Sequence, residues 1–300
     1  MKTYEEMAQS ALSRGKAIRK QRKKNSKIIF GAVSGIVVCC LVIMLATGTK
    51  EPYTLKTVDG VHYIEVGSEY APSKEDLKFN VAAPSLSFST MDEMVDTVLN
   101  KKLDERQLKV VYRFLKDENG RIRTVDFTNL AVPVVPENHT LSSKVSWSGR
   151  SYGFNVKGEN DVLGFVACMT TDKFEGLVSS SYKQIYENEK RTITKEEKVE
   201  DRNATVVYSS TTVADLKNII YSFQQGDTQY TVFEQYTLRN DNPSSYIYII
   251  SDVIPERVDV YVRKGDLCVE FQIRYLSERP SMECIKQFNV TKYVPAEEKK

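Results

Sequence analysis

Histidine is the side chain most often used as a catalytic base or metal ligand near neutral pH, and this chain has only two, His62 and His139. Neither has another histidine, a cysteine or a carboxylate beside it at ligand spacing, so the sequence predicts no zinc site. Residues 180–183 match the Ser-x-x-Lys pattern of some acyl-transfer enzymes, but the companion Lys-Thr-Gly is absent and we interpret the match as coincidence. The sequence therefore predicts no catalytic residues, no metal ligands and no cofactor.

Two less specific sources of chemistry remain. The forty acidic residues could include the carboxylate pair of a hydrolase, but such pairs meet only in space and nothing in the sequence selects one. Aromatic residues could form a surface on which a sugar or a peptide stacks, and the candidates are Trp147, Tyr246 and Tyr248. The alternative is that tyrosine simply suits half-exposed strands, with its ring packed and its hydroxyl in water.

An uncharged apolar segment of nineteen residues spans 28–46. As a helix it would be about 28 Å long, close to the ~30 Å hydrocarbon core of a bilayer. The segment is longer than the apolar part of a secretory signal, so we predict an anchor helix, with a cleaved signal peptide as the alternative. Gly31 and Gly35 have the small-xxx-small spacing that lets membrane helices approach closely, which weakly favours a homodimer through this helix face.

Basic residues are concentrated before this segment. Residues 1–27 contain nine basic and two acidic side chains, whereas residues 28–300 carry a net charge of −5. The positive-inside rule therefore places the N-terminus in the cytoplasm and residues 47–300 outside. Anionic lipid headgroups attract such a flank, so it indicates the lipid bilayer as a partner and no nucleic acid. The flanking residues are Lys20, Arg22, Lys23, Lys24 and Lys27.

Local patterns predict the elements outside the segment. Asp59-Gly60 suits the turn of a β-hairpin, and Thr90 and Asp104 are suitable N-caps for two helices. After residue 121 the apolar period changes to two, which predicts mostly antiparallel strands, with a hairpin turn at Gly226 and a short helix over 281–288. Residues 3–18 have the spacing of a short amphipathic helix in the cytoplasmic tail.

These patterns together predict an α+β fold: one transmembrane helix followed by a β-rich, mostly antiparallel extracytoplasmic region with a few short helices. We divide the chain into a basic tail at 1–27, the transmembrane helix at 28–46, a small α+β domain at 47–138 and a β-rich domain at 139–300. Three cysteines lie outside the membrane, and either a Cys268–Cys284 disulfide or buried free thiols, including Cys168, would be consistent with the sequence.

Several short segments in the first half of the sequence resemble those of a group of single-pass extracytoplasmic proteins of Gram-positive gut bacteria. The similar segments are the opening at 2–7, followed by 87–94, 103–108, 114–122, 129–136 and 147–154. Some members of that group look like the extracytoplasmic parts of anti-sigma-type regulators. The resemblance implies a membrane-anchored envelope protein, but it supplies no activity and no catalytic residues.

The function that we expect is therefore binding or sensing by an external module of the bacterial cell envelope, with an envelope protein or a glycan as partner, and not an enzyme. Transmembrane regulation through the cytoplasmic tail is one alternative. The tail is short for this purpose, because twenty-seven residues are too few to bury a core alone. A carboxylate-based envelope hydrolase is the other.

Overall fold

The computed structural model describes residues 51–70, 85–115, 121–158, 163–187, 192–199, 202–210, 213–241, 249–274 and 276–295. Pro52–Lys300 form one compact unit. The predicted tail, the predicted anchor with Gly31 and Gly35, the basic flank and the pair Tyr246 and Tyr248 lie outside the described residues. Within the described ranges, the helices are all too short or too polar to cross a membrane.

The described part contains sixteen strands and four α-helices. In the first half these are β1 (Tyr53–Val58), β2 (Val61–Val66), β3 (Leu86–Phe88), α1 (Met91–Leu99), α2 (Glu105–Leu115), β4 (Ile122–Thr124), β5 (Ala131–Val134), β6 (His139–Leu141) and β7 (Val145–Trp147). In the second half they are β8 (Ser151–Gly158), β9 (Leu163–Met169), α3 (Thr171–Glu187), β10 (Thr192–Val199), β11 (Arg202–Ser210), β12 (Ala214–Gln225), β13 (Thr228–Asn240), β14 (Arg257–Lys264), β15 (Leu267–Arg274), α4 (Met282–Gln287) and β16 (Asn289–Lys292).

Most strands belong to one antiparallel sheet of eleven strands. Its order is β10-β11-β12-β13-β14-β15-β9-β8-β7-β3, and β6 pairs separately with β8. Two smaller sheets accompany it, one of β1, β2 and β4 and the other of β16 and β5. The predicted α+β class with mostly antiparallel strands is confirmed.

The short-range predictions of turns and caps are also confirmed. Asp59 and Gly60 join β1 to β2 with φ angles of 51° and 77°, the left-handed pair that a type I′ turn requires. The Thr90 hydroxyl accepts the Glu93 amide at the start of α1, and the Asp104 carboxylate accepts the Gln107 amide at the start of α2. Gly226, with φ of 60°, lies in the turn between β12 and β13.

The expected domain boundary after residue 138 does not separate two compact units. β3 pairs with β7, and β16, near the C-terminus, pairs with β5. Strands from both sides of residue 138 therefore share sheets, and their side chains share one core. Residues 131–134, just before this boundary, form a strand although they include Pro133. Proline is tolerated there because β5 pairs, among the described strands, with β16 alone in a two-stranded ribbon.

Helix α3 is the main departure from the predicted order, which has mostly strands after residue 121. Gly176 and the serines at 179–181 weaken intrinsic helix propensity, which obscures the pattern. Apolar residues nevertheless recur at helical spacing, and they pack on the sheet: Phe174, Leu177, Val178, Tyr182, Ile185 and Tyr186. Burial of this stripe stabilises a helix that propensity alone does not favour.

The length of α3 matches the distance that it must cover. It connects β9 to β10, which lie six strand positions apart in the sheet, a separation of about 29 Å at the usual strand spacing. Its seventeen residues extend about 26 Å. Helix α3 therefore crosses one face of the sheet, which we call the helix face. The other face, which we call the core face, carries the larger core with α4 and β16.

A buried ion pair connects the core face to the segment between β15 and α4. The Glu234 side chain, 1% exposed, lies on β13 and accepts two hydrogen bonds from the Arg279 guanidinium, at 2.8 and 3.0 Å. The hydroxyls of Tyr221 and Tyr236 donate to the same carboxylate at 2.9 and 2.6 Å. Both carboxylate oxygens therefore have two donors, so the cost of burying the charge is offset.

We expect Arg279→Met to destabilise the fold by about 3–5 kcal/mol, because it leaves the Glu234 charge buried without its counter-ion. Trp147 is the single tryptophan and is fully buried, so its fluorescence in a urea titration of the full chain in detergent reports unfolding. The exposed pair of Lys102 and Asp96 supplies the control, since Lys102→Met should cost less than about 1 kcal/mol.

The double variant Glu234→Gln with Arg279→Met should recover part of the loss, because glutamine carries no charge, its oxygen accepts from one tyrosine hydroxyl and its NH2 group can donate to the oxygen of the other. Equal stability of Arg279→Met and wild type would show that the ion pair does not hold this segment in place.

Candidate functional site

Helix α3 crosses the helix face diagonally and does not itself cover every strand position of that face. At its first turn Thr171 lies 3.9 Å from the Cys268 sulfur on β15, and farther along Ser181 lies 3.1 Å from the Tyr261 hydroxyl on β14. Tyr182 then packs edge-on against Phe233 on β13, with the ring centroids 5.0 Å apart. The helix thus moves toward the opposite ends of these strands as it crosses, and side chains of β8, β9, β15 and β14 remain beside it.

We call this uncovered region the open face. Its members share one side of the sheet and lie beside or beyond the edge of α3: Asn155, Lys157, Phe165, Arg257, Asp259, Glu270, Gln272 and Arg274. Four of them form a straight row across four strands, because Asn155 pairs with Phe165, Phe165 with Gln272, and Gln272 with Asp259. The row places one aromatic residue between two amides, with a carboxylate one strand farther on, beside Gln272.

Phe165 is the exposed aromatic residue at the centre of this row, with 42% of its surface accessible. It lies on β9, a central strand with partners on both sides. A Cβ atom at Gly153, on the neighbouring strand, would be 2.3 Å from Cζ of the Phe165 ring and 2.6 Å from the Val166 carbonyl oxygen. The ring therefore lies across the glycine backbone, and only glycine leaves room for it there.

Two carboxylates belong to the open face, Asp259 at the end of this row and Glu270 near it on β15. Asp259 is 3% exposed, and burial raises its pKa to about 6, with a further increase from nearby Glu270 and an opposing effect of Arg257. Arg257 Nε lies 3.0 Å from Asp259 Oδ2. Asp259 Oδ1 has no well-aligned donor among the described residues, although Gln272 is close enough to lower the pKa.

Glu270 is half-buried, and burial raises its pKa as well. The Tyr261 hydroxyl donates to Glu270 Oε1 at 2.9 Å, and Lys173, from the first turn of α3, acts on Glu270 as a nearby positive charge. The sequence did not single out either carboxylate among forty. The structure brings Asp259 and Glu270 to adjacent strands, two residues apart in register.

The start of α3 is held in place by ionic contacts. Asp172 forms ion pairs with Arg123, at 2.8 Å, and with Arg150. Burial alone would raise the pKa of Asp172, but the Thr170 hydroxyl and the two guanidinium groups lower it below its ordinary value. Lys173 Nζ donates to the Ser151 hydroxyl at 2.6 Å, and burial lowers the Lys173 pKa. These contacts fix the edge of the open face.

The aromatic surface expected from the sequence does not include Trp147. This side chain is fully buried, its Nε1 donates to the Gly149 carbonyl at 3.0 Å, and its ring packs edge-on against Phe127. Tryptophan on a short strand is here a core residue because its one donor finds an internal partner. The sequence patterns did not single out Phe165 as an exposed aromatic residue. The signal that could have indicated it was its position in a strand directly after Gly164.

The other residues that the sequence singled out do not assemble a catalytic site. Ser180 and Lys183 lie exposed on α3. His62 Nδ1 lies 3.0 Å from the Thr57 hydroxyl, and His62 Nε2 lies 3.5 Å from Asp126, on an exposed hairpin. His139 lines a cavity of about 120 Å3 together with Cys284 and other residues of the core face. Among the described residues no three histidine, cysteine or acidic side chains are grouped as a metal site.

The three cysteines of the described region are free thiols. Cys268 packs on the helix face and Cys284 on the core face, so the Cys268–Cys284 disulfide considered from the sequence does not form. Burial raises the pKa of Cys268 to about 11, which keeps this thiol protonated and unreactive near neutral pH.

Gly153→Ala should destabilise the fold by about 1–3 kcal/mol, because the added methyl group would meet both the Phe165 ring and a backbone oxygen. Gly176→Ala is the matched control, since a Cβ at this position of α3 would meet open space. This substitution should stabilise the helix by about 0.5–1 kcal/mol. Urea unfolding monitored by Trp147 fluorescence compares the two. A neutral effect of Gly153→Ala would contradict the close approach of the ring.

The buried carboxylate of Asp259 predicts a pH effect on stability. Its folded-state pKa of about 6 lies above the ordinary aspartate pKa of 3.8, so the folded chain holds the proton more tightly than the unfolded chain does. The stability that this proton provides is complete below about pH 4 and is lost as the pH rises through about 6. Asp259→Asn should therefore be more stable than wild type at neutral pH, by up to about 3 kcal/mol.

Urea unfolding of wild type and Asp259→Asn at several pH values between about 4 and 7 measures this difference. The difference in free energy of unfolding between Asp259→Asn and wild type should shrink as the pH falls. For the exposed control Asp252→Asn, the difference from wild type should change little with pH. A difference independent of pH would mean that Asp259 does not titrate in this interval.

Comparison with known proteins gives no assignment: no protein-family model, no curated protein and no solved structure matches this chain. The functional proposals therefore depend on the sequence and on the geometry of the open face.

Proposed function

We propose that the protein is a membrane-anchored binding or sensing module of the bacterial cell envelope, and that the open face is its binding surface. Support for the anchor comes from the sequence, in the apolar segment 28–46 and the basic flank before it. Support for binding comes from the described unit. In this proposal residues 1–27 are cytoplasmic and the unit that begins at Pro52 is extracytoplasmic.

The observation that carries the proposal is the exposure of Phe165 in the middle of an eleven-stranded sheet. A central strand normally has both faces covered or its exposed positions polar. Here α3 covers the helix face over Cys268, Tyr261 and Phe233 and stops short of Phe165. The uncovered ring is surrounded by side chains that donate and accept hydrogen bonds, which is the composition of a recognition surface.

One specific observation favours a second candidate function, carboxylate-based hydrolysis. Asp259 and Glu270 are neighbours with raised pKa values, and raised pKa values are typical of carboxyl groups that act as general acids. Against this candidate, Asp259 is 3% exposed and is engaged with Arg257. Binding without hydrolysis therefore agrees better with the geometry. Regulation through the cytoplasmic tail is an alternative that concerns residues outside the described part.

The proposed topology can be tested with the full chain carrying one tag at each terminus in a Gram-positive bacterial host. Protease added to intact protoplasts should remove the C-terminal tag and leave the N-terminal tag, because the basic flank keeps the N-terminus in the cytoplasm. Survival of the C-terminal tag with loss of the N-terminal tag would reverse the orientation. Release of a mature form that begins near Thr47 would identify a signal peptide instead.

A variant with the five flanking residues Lys20, Arg22, Lys23, Lys24 and Lys27 replaced by serine is the matched control. It removes most of the positive charge next to the apolar segment while leaving the segment intact, so it should weaken the orientation preference. An unchanged protease pattern in this variant would show that the flank does not set the topology.

A further inference from the structure

We propose that the ligand of the open face is a cell-wall polysaccharide, with Phe165 as the platform on which a hexopyranose ring stacks. This inference rests on the proposed function, since it names the ligand class of the same surface. It uses three features of the open face: how the ring is presented, which groups flank it, and how little other apolar surface accompanies it.

The ring reaches over the neighbouring strand. Because its far edge lies over Gly153, where a Cβ would be 2.3 Å from Cζ, the side chain leans across the sheet. Phe165 remains 42% exposed, so part of the ring is accessible to a ligand. The electron-rich face of an aromatic ring attracts the positively polarised C–H groups that a pyranose presents on one side.

Hydrogen-bonding groups flank the ring on both sides. Asn155 and Gln272 are directly opposite Phe165 on the two neighbouring strands, so their backbones lie about 5 Å to either side of the Phe165 backbone. An amide both donates and accepts, which suits hydroxyl and acetamido groups at the two edges of a stacked sugar. Arg274 adds donors, and it also contacts the Gln272 side-chain oxygen at 3.2 Å.

The surface suits a glycan better than a polypeptide. Phe165 is the one strongly exposed large apolar residue that the described part of the chain places on the open face, whereas protein interfaces have a larger apolar core. β9 and β15 are paired on both sides, so their backbone groups cannot add the strand of a bound peptide. Charges of both signs lie on β15 on either side of Gln272, from Glu270 and Arg274, and the exposed Arg274 provides donors for sugar hydroxyls.

The test is cosedimentation of the full chain, solubilised in detergent, with purified peptidoglycan prepared with and without its attached wall polymers. We expect binding to at least one of the two preparations. Phe165→Ala should weaken it about tenfold or more, and Phe165→Trp should retain it because a larger ring preserves stacking. Ile250→Ala removes an apolar side chain that is 60% exposed outside the open face, and it should leave binding unchanged.

A photo-crosslinking amino acid at the exposed position Asn155, used in intact cells, distinguishes failure of this inference from failure of the proposed function. Capture of a protein at Asn155 without peptidoglycan binding would overturn the glycan as ligand and keep the open face as a binding surface. If Asn155 captures nothing and the chain does not sediment with peptidoglycan, both the glycan ligand and the open face as a binding surface are overturned. Binding that is equal in Phe165→Ala and wild type would overturn the stacking role of Phe165.

Discussion

The charge of Glu234 is the constraint around which the core face is arranged. A carboxylate that is 1% exposed is tolerated only when counter-charge and donors surround it, and Arg279, Tyr221 and Tyr236 provide them. Arg279 belongs to the segment that leads from β15 to α4, so the same contact brings α4 onto the sheet. Phe288, just after α4, packs on Phe271 of β15, with ring centroids 5.0 Å apart. β16 then follows and closes the two-stranded ribbon with β5.

The core face is covered in this way, and α3 is the helix that the described part of the chain places on the opposite face. Helix α3 must travel from β9 to β10, and at about 26 Å its length is close to the whole crossing. A straight helix on a twisted sheet cannot cover every strand along its length. The part that it leaves uncovered lies on β8, β9, β15 and β14, and it is there that the polar side chains and Phe165 occur.

Much of the fold follows from local sequence signals. Asp59-Gly60, Thr90, Asp104 and Gly226 mark turns and caps that depend on neighbours a few residues away, and these were predictable. The alternation of apolar and polar residues over 267–274 likewise indicates that Cys268, Glu270, Gln272 and Arg274 share one side of β15. The helix α3 was not predicted, because Gly176 and the serines at 179–181 hide an apolar stripe whose stability comes from packing on the sheet.

The candidate site was predictable only in part. The sequence favoured an aromatic surface, but it named Trp147, whose indole donor is satisfied inside the core by Gly149. Phe165, Gln272 and Asp259 are more than ninety residues apart in sequence from first to last, and they meet because β9 pairs with β15 and β15 with β14. Strand order of this kind depends on long-range pairing, which local periodicity does not specify.

The open face includes features that local stability alone would not retain. Gly153 occupies a buried strand position, where glycine is unfavourable because it has no side chain to pack. Asp259 occupies a buried position that disfavours its charged form. An apolar residue at 259 and a β-branched residue at 153 would suit a sheet whose only role is support. Such residues on the same face as an exposed aromatic ring favour a role in recognition, because unfavourable local choices concentrate at functional sites. The arrangement therefore favours the open face, more than the cavity beside His139, as the surface on which the function of the chain depends.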